Sequence, residues 1–170
     1  MHLFKSKKKN ILPLYNKIAL LTRETFFYKD FNLSDSFTNR IYLIFFHLSF
    51  VLISLKKRKY NKIDQQYIFD FFFKQLELNC REIGYGDTTV NKKMKELVKL
   101  FYVILTQCEN WQTLHKDNKY NFLLSIFSGN LKSKILVNKL TNYFDKFAYF
   151  IKDTSLNSVT KGVFSFDYKE

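Results

Sequence analysis

"IFDFFFKQLELNCREIGYGDTTVNKKMKELVKLFY", residues 68–102, decides what kind of protein this is. Gly84 and Gly86 stand two apart between charged flanks, a pattern that fits either a phosphate-holding loop or a corner between two helices. A dinucleotide fold needs GxGxxG after a strand, with a helix N-terminus aimed at the pyrophosphate. Here the glycines follow a long helical pattern, Thr89 takes the third glycine position, and Asp87 stands where a phosphate would sit. A corner explains the spacing better. Gly84 takes the left-handed conformation that ends a helix, Gly86 permits the reversal, and Asp87 or Thr88 caps the helix that follows.

Outward from that corner the chain reads as helices. The preceding one, residues 63–83, is apolar round most of its circumference, with Asp70, Lys74, Glu77 and Arg81 tracing a single wet edge, so it is expected to be the central helix. Asp70 and Glu77 each stand four residues before a base, the favourable order for surface ion pairs. The following helix, 88–110, places Val90, Met94, Leu97, Phe101, Ile104 and Cys108 on one face and Lys92, Lys95 and Lys99 toward the other. Upstream, "IYLIFFHLSFVLISL" (41–55) lies in a helix from Phe37 that ends in "KKRK", where cations suit the exposed carbonyls. Ser34 or Asp35 is expected to cap it. Its apolar run of 15 residues falls short of the roughly 20 that span a bilayer, so it reads as a buried helix. A first helix over 13–28 opens on Pro13 and carries Leu14, Ile18, Leu21 and Thr25. A fifth over 120–127 is closed by Gly129 after a polar break at "HKDNK", and a sixth covers 132–152. The expected architecture is all-α: a basic tail over 1–12, one domain of about six helices over 13–153, and an aperiodic C-terminal tail over 154–170, mobile or laid over the surface.

Composition agrees. The chain has 170 residues, 46% of them apolar, enough for one core, and only four Gly and one Pro, too few for a turn-rich sandwich or barrel. The formal charge of +13 suits nucleic acid, anionic lipid or an acidic partner. An AT-biased coding sequence gives the same lysine-rich profile, so the four arginines, Arg23, Arg40, Arg58 and Arg81, carry more weight than the total. Cys80 and Cys108 form no CxxC, which argues against a zinc site or a disulfide framework and for a reducing compartment. The basic N-terminus lacks the apolar stretch of a secretory signal. His47, mid-way along an apolar helix, has no second histidine in helical relation to it, so a satisfied core residue is favoured over a metal ligand. No nucleophile stands beside a base and no carboxylate pair recurs at a diagnostic interval. Catalytic residues, metals and cofactors are therefore not expected.

Two blocks resemble the ubiquinol–cytochrome c chaperone family, assembly factors for the cytochrome bc1 complex. In residues 14–52 the likeness rests on the spacing of Tyr15, Arg23, Phe27, Tyr28, Asp35, Arg40 and His47. In 68–102 it rests on Phe69, Asp70, Phe73, Arg81, Glu82, Gly84, Gly86, Asp87, Val90, Lys92, Lys93 and Lys95, with the "RE-I-G-x-G-D" element the most specific. A third likeness around 120–130 is weaker. The family's Gly-Arg pair after the aromatic couple is replaced here by Val103 and Ile104, and Gly129-Asn130 lacks a preceding arginine.

The resemblance implies a chaperone without catalysis, whose client is newly made cytochrome b and which in some relatives works close to the ribosome. Arg40, His47, Arg81, Glu82 and Asp87 become candidate client-binding residues. Lys56, Lys57, Arg58, Lys92, Lys93 and Lys95 become candidates for contact with the ribosome or an anionic lipid surface, and Gly84 and Gly86 for the structural turn. Because family motifs begin within the first fifteen residues, the expected setting is the bacterial cytoplasm, peripheral at the inner membrane. An RNA-binding helical module and a helical enzyme with an apolar pocket are the alternatives.

Overall fold

A computed structural model describes residues 10–127 and 134–169. These form helices α1 (Leu12–Leu21), α2 (Thr25–Lys29), α3 (Phe37–Lys57), α4 (Lys62–Glu82), α5 (Asp87–Glu109), α6 (Lys116–Ile126), α7 (Lys134–Asp153) and α8 (Leu156–Thr160), and no strand is present among them. The expected all-α single domain is thus what the chain forms.

The centre is α3, not the helix before the corner. Every residue from Leu43 to Leu55 is buried, and α3 packs against α1, α4, α5 and α7. A helix that is apolar all round must lie inside a fold or a membrane. By length and composition α3 could cross a bilayer, with mean hydropathy 1.5, but 83% of that window is buried within the domain. By contrast α4 buries only Ile68, Phe72, Phe73, Leu76 and Cys80 and leaves Tyr67, Phe69 and Phe71 half-covered, so its aromatic content overstated its depth.

The short 58–61 and 83–86 connections make α4 antiparallel to both neighbours, so α3 and α5 run the same way. Lys56 meets Glu109 at one end at 2.8 Å, and Phe37 and Ile41 share a small cavity with Lys93 and Leu97 at the other. The helix α7 also runs with α3: Phe46 stacks on Phe144 at 4.6 Å, and Ser54 Oγ donates to the Ile151 carbonyl. Aromatic rings fill the interior between them, Phe45 against Phe73 and Phe101, and Phe46 against Phe127. Each fully buried Phe contributes roughly 1.5–3 kcal/mol of transfer free energy.

Several helix limits differ from expectation for local reasons. The predicted first helix is two, because Thr22 Oγ1 turns back to the Ala19 carbonyl and the Tyr28 hydroxyl donates to the Thr22 carbonyl, folding α2 against the end of α1. Ser36, rather than Ser34 or Asp35, caps α3, accepting from the Asn39 N–H at 3.2 Å, while Asp35 pairs with Arg40. The "HKDNK" break opens α6, with His115 as its N-cap. Gly129 and residues 132–133 lie outside the described residues. The segment after α7 forms α8, buries Val159, and lays Phe166 and Tyr168 on Tyr143. At Gly162 (φ +64°) a Cβ would stand 2.5 Å from the Pro13 carbonyl oxygen, so this backbone passes directly over the start of α1.

Candidate functional site

The α4–α5 corner is built by its own backbone. Beyond the last turn of α4, the Gly84 N–H donates to the Arg81 carbonyl (2.9 Å) and the Tyr85 N–H to the Cys80 carbonyl (3.3 Å). This pair of bonds is the Schellman closure, which requires a left-handed residue, and Gly84 supplies it at φ +100°. Gly86 is the N-cap of α5 with extended backbone (φ −68°, ψ 161°), a conformation open to any residue. Neither Asp87 nor Thr88 caps α5. Asp87 sits in its first turn, where a carboxylate suits the helix dipole.

Side chains then tie the corner together. The Arg81 guanidinium donates to Glu77 Oε1 (3.0 Å from Nη2) and, from Nη1, to Asp87, so one cation spans the end of α4 and the start of α5. Lys74 also reaches Glu77 at 3.0 Å. Together Lys74 and Arg81 hold the Glu77 carboxyl below its ordinary range. Of the two ion pairs expected along α4, Glu77–Arg81 forms, whereas Asp70 accepts from Gln66 instead. Lys93 lies 4.7 Å from the Tyr85 ring centroid, a cation–π contact. All residues from Arg81 to Thr89 are exposed, including Ile83 at 53% and Tyr85 at 37%. Sequence reading picked out the charges and missed Ile83 and Tyr85, whose signal was an apolar residue on each side of a helix-stopping glycine.

Arg40 is held near the same end of the bundle. Its guanidinium makes a bidentate pair with Asp35 (2.7 and 2.8 Å), which lowers the Asp35 pKa, and burial pushes the Tyr28 hydroxyl up while the Arg40 charge pulls against it. Phe37 and Thr38 from α3, Cys80 from α4 and Lys93 and Leu97 from α5 line one cavity, bringing the start of α3 beside the corner. Lys92 and Lys95 lie exposed on the first turns of α5.

The other candidates go elsewhere. Lys56, Lys57 and Arg58 sit at the far end of α3, about 25 Å from Arg40 along the helix. Lys56 pairs with Glu109. Arg58 is turned onto the end of α7, its Nη2 donating to the Ile151 and Lys152 carbonyls (2.5 Å each) and Ser54 Oγ (2.8 Å), and its Nη1 to the Thr154 carbonyl. It satisfies carbonyls that the helix end leaves without partners. His47 is wholly buried and presents no atom to a surface partner. Its Nδ1 lies 2.6 Å from the Leu43 carbonyl, which can only accept, so Nδ1 carries the proton and the Tyr143 hydroxyl donates to Nε2 at 2.7 Å. Burial brings the His47 pKa down to about 4, against the opposing pull of the Leu43 carbonyl. Among the described residues no group of three or more His, Cys, Asp or Glu side chains could hold a metal ion, and Cys80 and Cys108 are both free and buried.

These features define an all-α protein organised round one buried helix, with a rigid charged corner exposed at one end. Residues 29–112 match the model of the family described as ubiquinol-cytochrome C chaperone, and the chain belongs to that family. The matched segment contains the whole of α3, α4 and α5 and therefore the corner. In fold the chain is similar to the crystal structure of the Cbp3 homolog from Brucella abortus, with a TM-score of 0.79 and 24% identity, over 96% of this chain and 93% of that one. No curated protein sequence matches the chain.

Proposed function

We propose that this protein is an assembly chaperone for the cytochrome bc1 complex, holding newly synthesised cytochrome b at the cytoplasmic face of the inner membrane, close to the ribosome. The observation that carries the reading is the family match over the segment containing α3, the corner and α5. The geometry is suited to holding a polypeptide. Arg81, Glu82, Asp87, Ile83 and Tyr85 all stand exposed on a turn fixed by backbone hydrogen bonds, so binding orders little of the chaperone. Arginine and carboxylate side by side favour specific paired hydrogen bonds over diffuse attraction, and Ile83 with Tyr85 adds an apolar centre. Lys92 and Lys95 give the ribosomal or lipid contact beside the corner. No bond is made or broken in this role.

The test is the double substitution Arg81→Ala/Asp87→Ala. The expected outcome is loss of bc1 complex accumulation, with helical content and melting temperature near wild type, because both side chains are exposed and the Schellman closure uses backbone alone. A comparable loss of folded protein would show that the pair merely staples the turn. Binding that collapses steeply with added salt would favour an RNA-binding module instead, since phosphate neutralisation releases counterions.

A further inference from the structure

At the end of the bundle opposite the corner, a cleft of about 660 Å³ opens between the end of α3, the start of α4 and the end of α5. That size falls within the roughly 300–1,000 Å³ of small-molecule sites. The lining is polarised along its length. Lys56, Lys59 and Lys62 gather at the α3–α4 turn, while Leu52, Phe69, Phe101, Tyr102 and Leu105 line the stretch leading away from it. The antiparallel course of α3 and α4 dictates this order: Lys62 and Phe69 are seven residues apart on α4, about 10 Å of helix. Of the three lysines only Lys56 has a carboxylate partner, Glu109 at 2.8 Å. Lys59 and Lys62 are exposed and have no ion pair among the described residues. The lining residues at the mouth therefore include three cations against one carboxylate, and Gln65 and Gln66 stand between them and Phe69 in the sequence of α4 without adding charge.

We propose that this cleft binds an anionic membrane phospholipid, one acyl chain lying along Phe69, Tyr102 and Leu105 and the phosphate at Lys59 and Lys62. An acidic peptide fits less well, because the cations sit at one mouth rather than along the groove, whereas a lipid carries its charge at one end and its apolar length at the other. Charge selects the headgroup, and the groove selects for a chain drawn out of the bilayer. The site deepens the peripheral-membrane part of the reading above and rests on it. It adds a second lipid contact at the end of the bundle away from Lys92 and Lys95, about 25 Å along α3 from Arg40.

The experiment is flotation of the full chain with vesicles of phosphatidylcholine alone or of phosphatidylcholine with phosphatidylglycerol, beside thermal shift with a short-chain phosphatidylglycerol kept below its micelle concentration. Wild type should float only with the anionic vesicles and be stabilised by the short-chain anionic lipid but not by its choline counterpart. Lys59→Gln/Lys62→Gln, both at exposed positions, should lose both responses. Leu105→Trp, which fills the groove and leaves every charge in place, should lose the thermal shift and lower flotation at least several-fold. If Leu105→Trp folds and both responses persist, the lipid only adsorbs to the surface and the proposal is overturned. Equal stabilisation by the choline lipid, or none by either, overturns it as well. If Leu105→Trp fails to fold, the exposed lysine variant decides by the same two readouts. Accumulation of the bc1 complex separates the two readings. Lipid binding retained in a strain whose bc1 complex does not need this protein overturns the chaperone role alone, and the reverse result overturns the cleft alone.

Discussion

Acidifying the protein should expose how much of its stability hangs on His47 staying neutral. The ring is fully buried among Phe27, Phe144 and Phe147, with centroids at 6.5, 5.6 and 4.6 Å, and both nitrogens are already committed. Protonating Nε2 would turn an acceptor into a second donor facing a hydroxyl that now donates to it, inside a cage of aromatic rings. The folded pKa of about 4 lies below the ordinary 6.5. In that interval the unfolded chain binds the proton and the folded one does not, so stability is fully present above about pH 6.5 and falls as pH drops toward 4. At about 1.4 kcal/mol per unit, the loss amounts to about 3 kcal/mol at order of magnitude, a large share of the roughly 5–15 kcal/mol that holds a domain folded. Asp35 and Glu77, whose pKa values lie below their ordinary 3.8 and 4.5, lose their native preference only at lower pH, so the upper part of the window belongs to the histidine. Urea unfolding at pH 7.5, 6, 5 and 4.5 should shift the midpoint down by on the order of 1 M across the series. The variant His47→Phe/Tyr143→Phe, which removes both polar partners together, should show a much flatter profile. An equally steep profile in that variant would refute the assignment of the effect to His47.

Other perturbations follow from the same geometry. Tyr143→Phe alone leaves Nε2 buried without a donor and should cost about 1–3 kcal/mol in chemical denaturation, more than the double variant. Gly84→Ala should lower stability by about 1–2 kcal/mol through the left-handed backbone alone, since a Cβ there meets nothing within 4 Å, while Gly86→Ala should change the midpoint little. Arg58→Ala should cost about 1.5–3 kcal/mol by stripping the α7 carbonyls of their partner, and Arg58→Lys should recover only part of it, because an ammonium cannot reproduce the planar fork. Gly162→Ala should loosen the C-terminal segment from α1, read as faster hydrogen exchange after Thr160, because the added carbon collides with Pro13 backbone rather than a side chain that can turn aside.

The long helices were legible because each carries several turns of apolar spacing and ends on a recognisable stop. The helix read as 63–83 is Lys62–Glu82, and the one read as 88–110 is Asp87–Glu109. The break after Leu21 was not legible, since Leu14, Ile18, Leu21 and Thr25 keep helical spacing straight through it and no Gly or Pro marks it. What breaks the helix is tertiary, the Tyr28 hydroxyl on the Thr22 carbonyl. His115 was overlooked as a cap because its side chain is not among the short oxygen acceptors that usually serve there. Depth misled for a related reason. Period counts show which residues are apolar, and α4 is richer in Phe than its burial warrants because Phe69 lines an open cleft rather than the core. At the candidate site the charges, the Glu77–Arg81 pair and the core position favoured for His47 were legible in sequence, but the Arg81–Asp87 and Arg40–Asp35 contacts were not, and only the fold separates Arg58 from the exposed lysines it accompanies.

That separation says something about where this fold can carry function at all. The sides of α3 are consumed by packing, and so is the inward face of α7, where Val137, Leu140, Phe144, Phe147 and Ile151 are buried. Side chains exposed to a partner are left at helix ends and on the outer faces of the other helices, Leu20 on α1, Tyr102 on α5 and Tyr149 on α7 among them. The two ends differ in kind. At the corner, opposite charges neutralise one another around Arg81 and an apolar pair stands beside them, the composition of a surface that recognises one shape of polypeptide. At the α3–α4 turn, lysines outnumber carboxylates beside an open apolar groove, the composition of a surface that recognises charge at the edge of a hydrocarbon phase. On the proposed function, a client emerging at a membrane would present both requirements at once, and α3, buried from Leu43 to Leu55, sets the distance between the two ends.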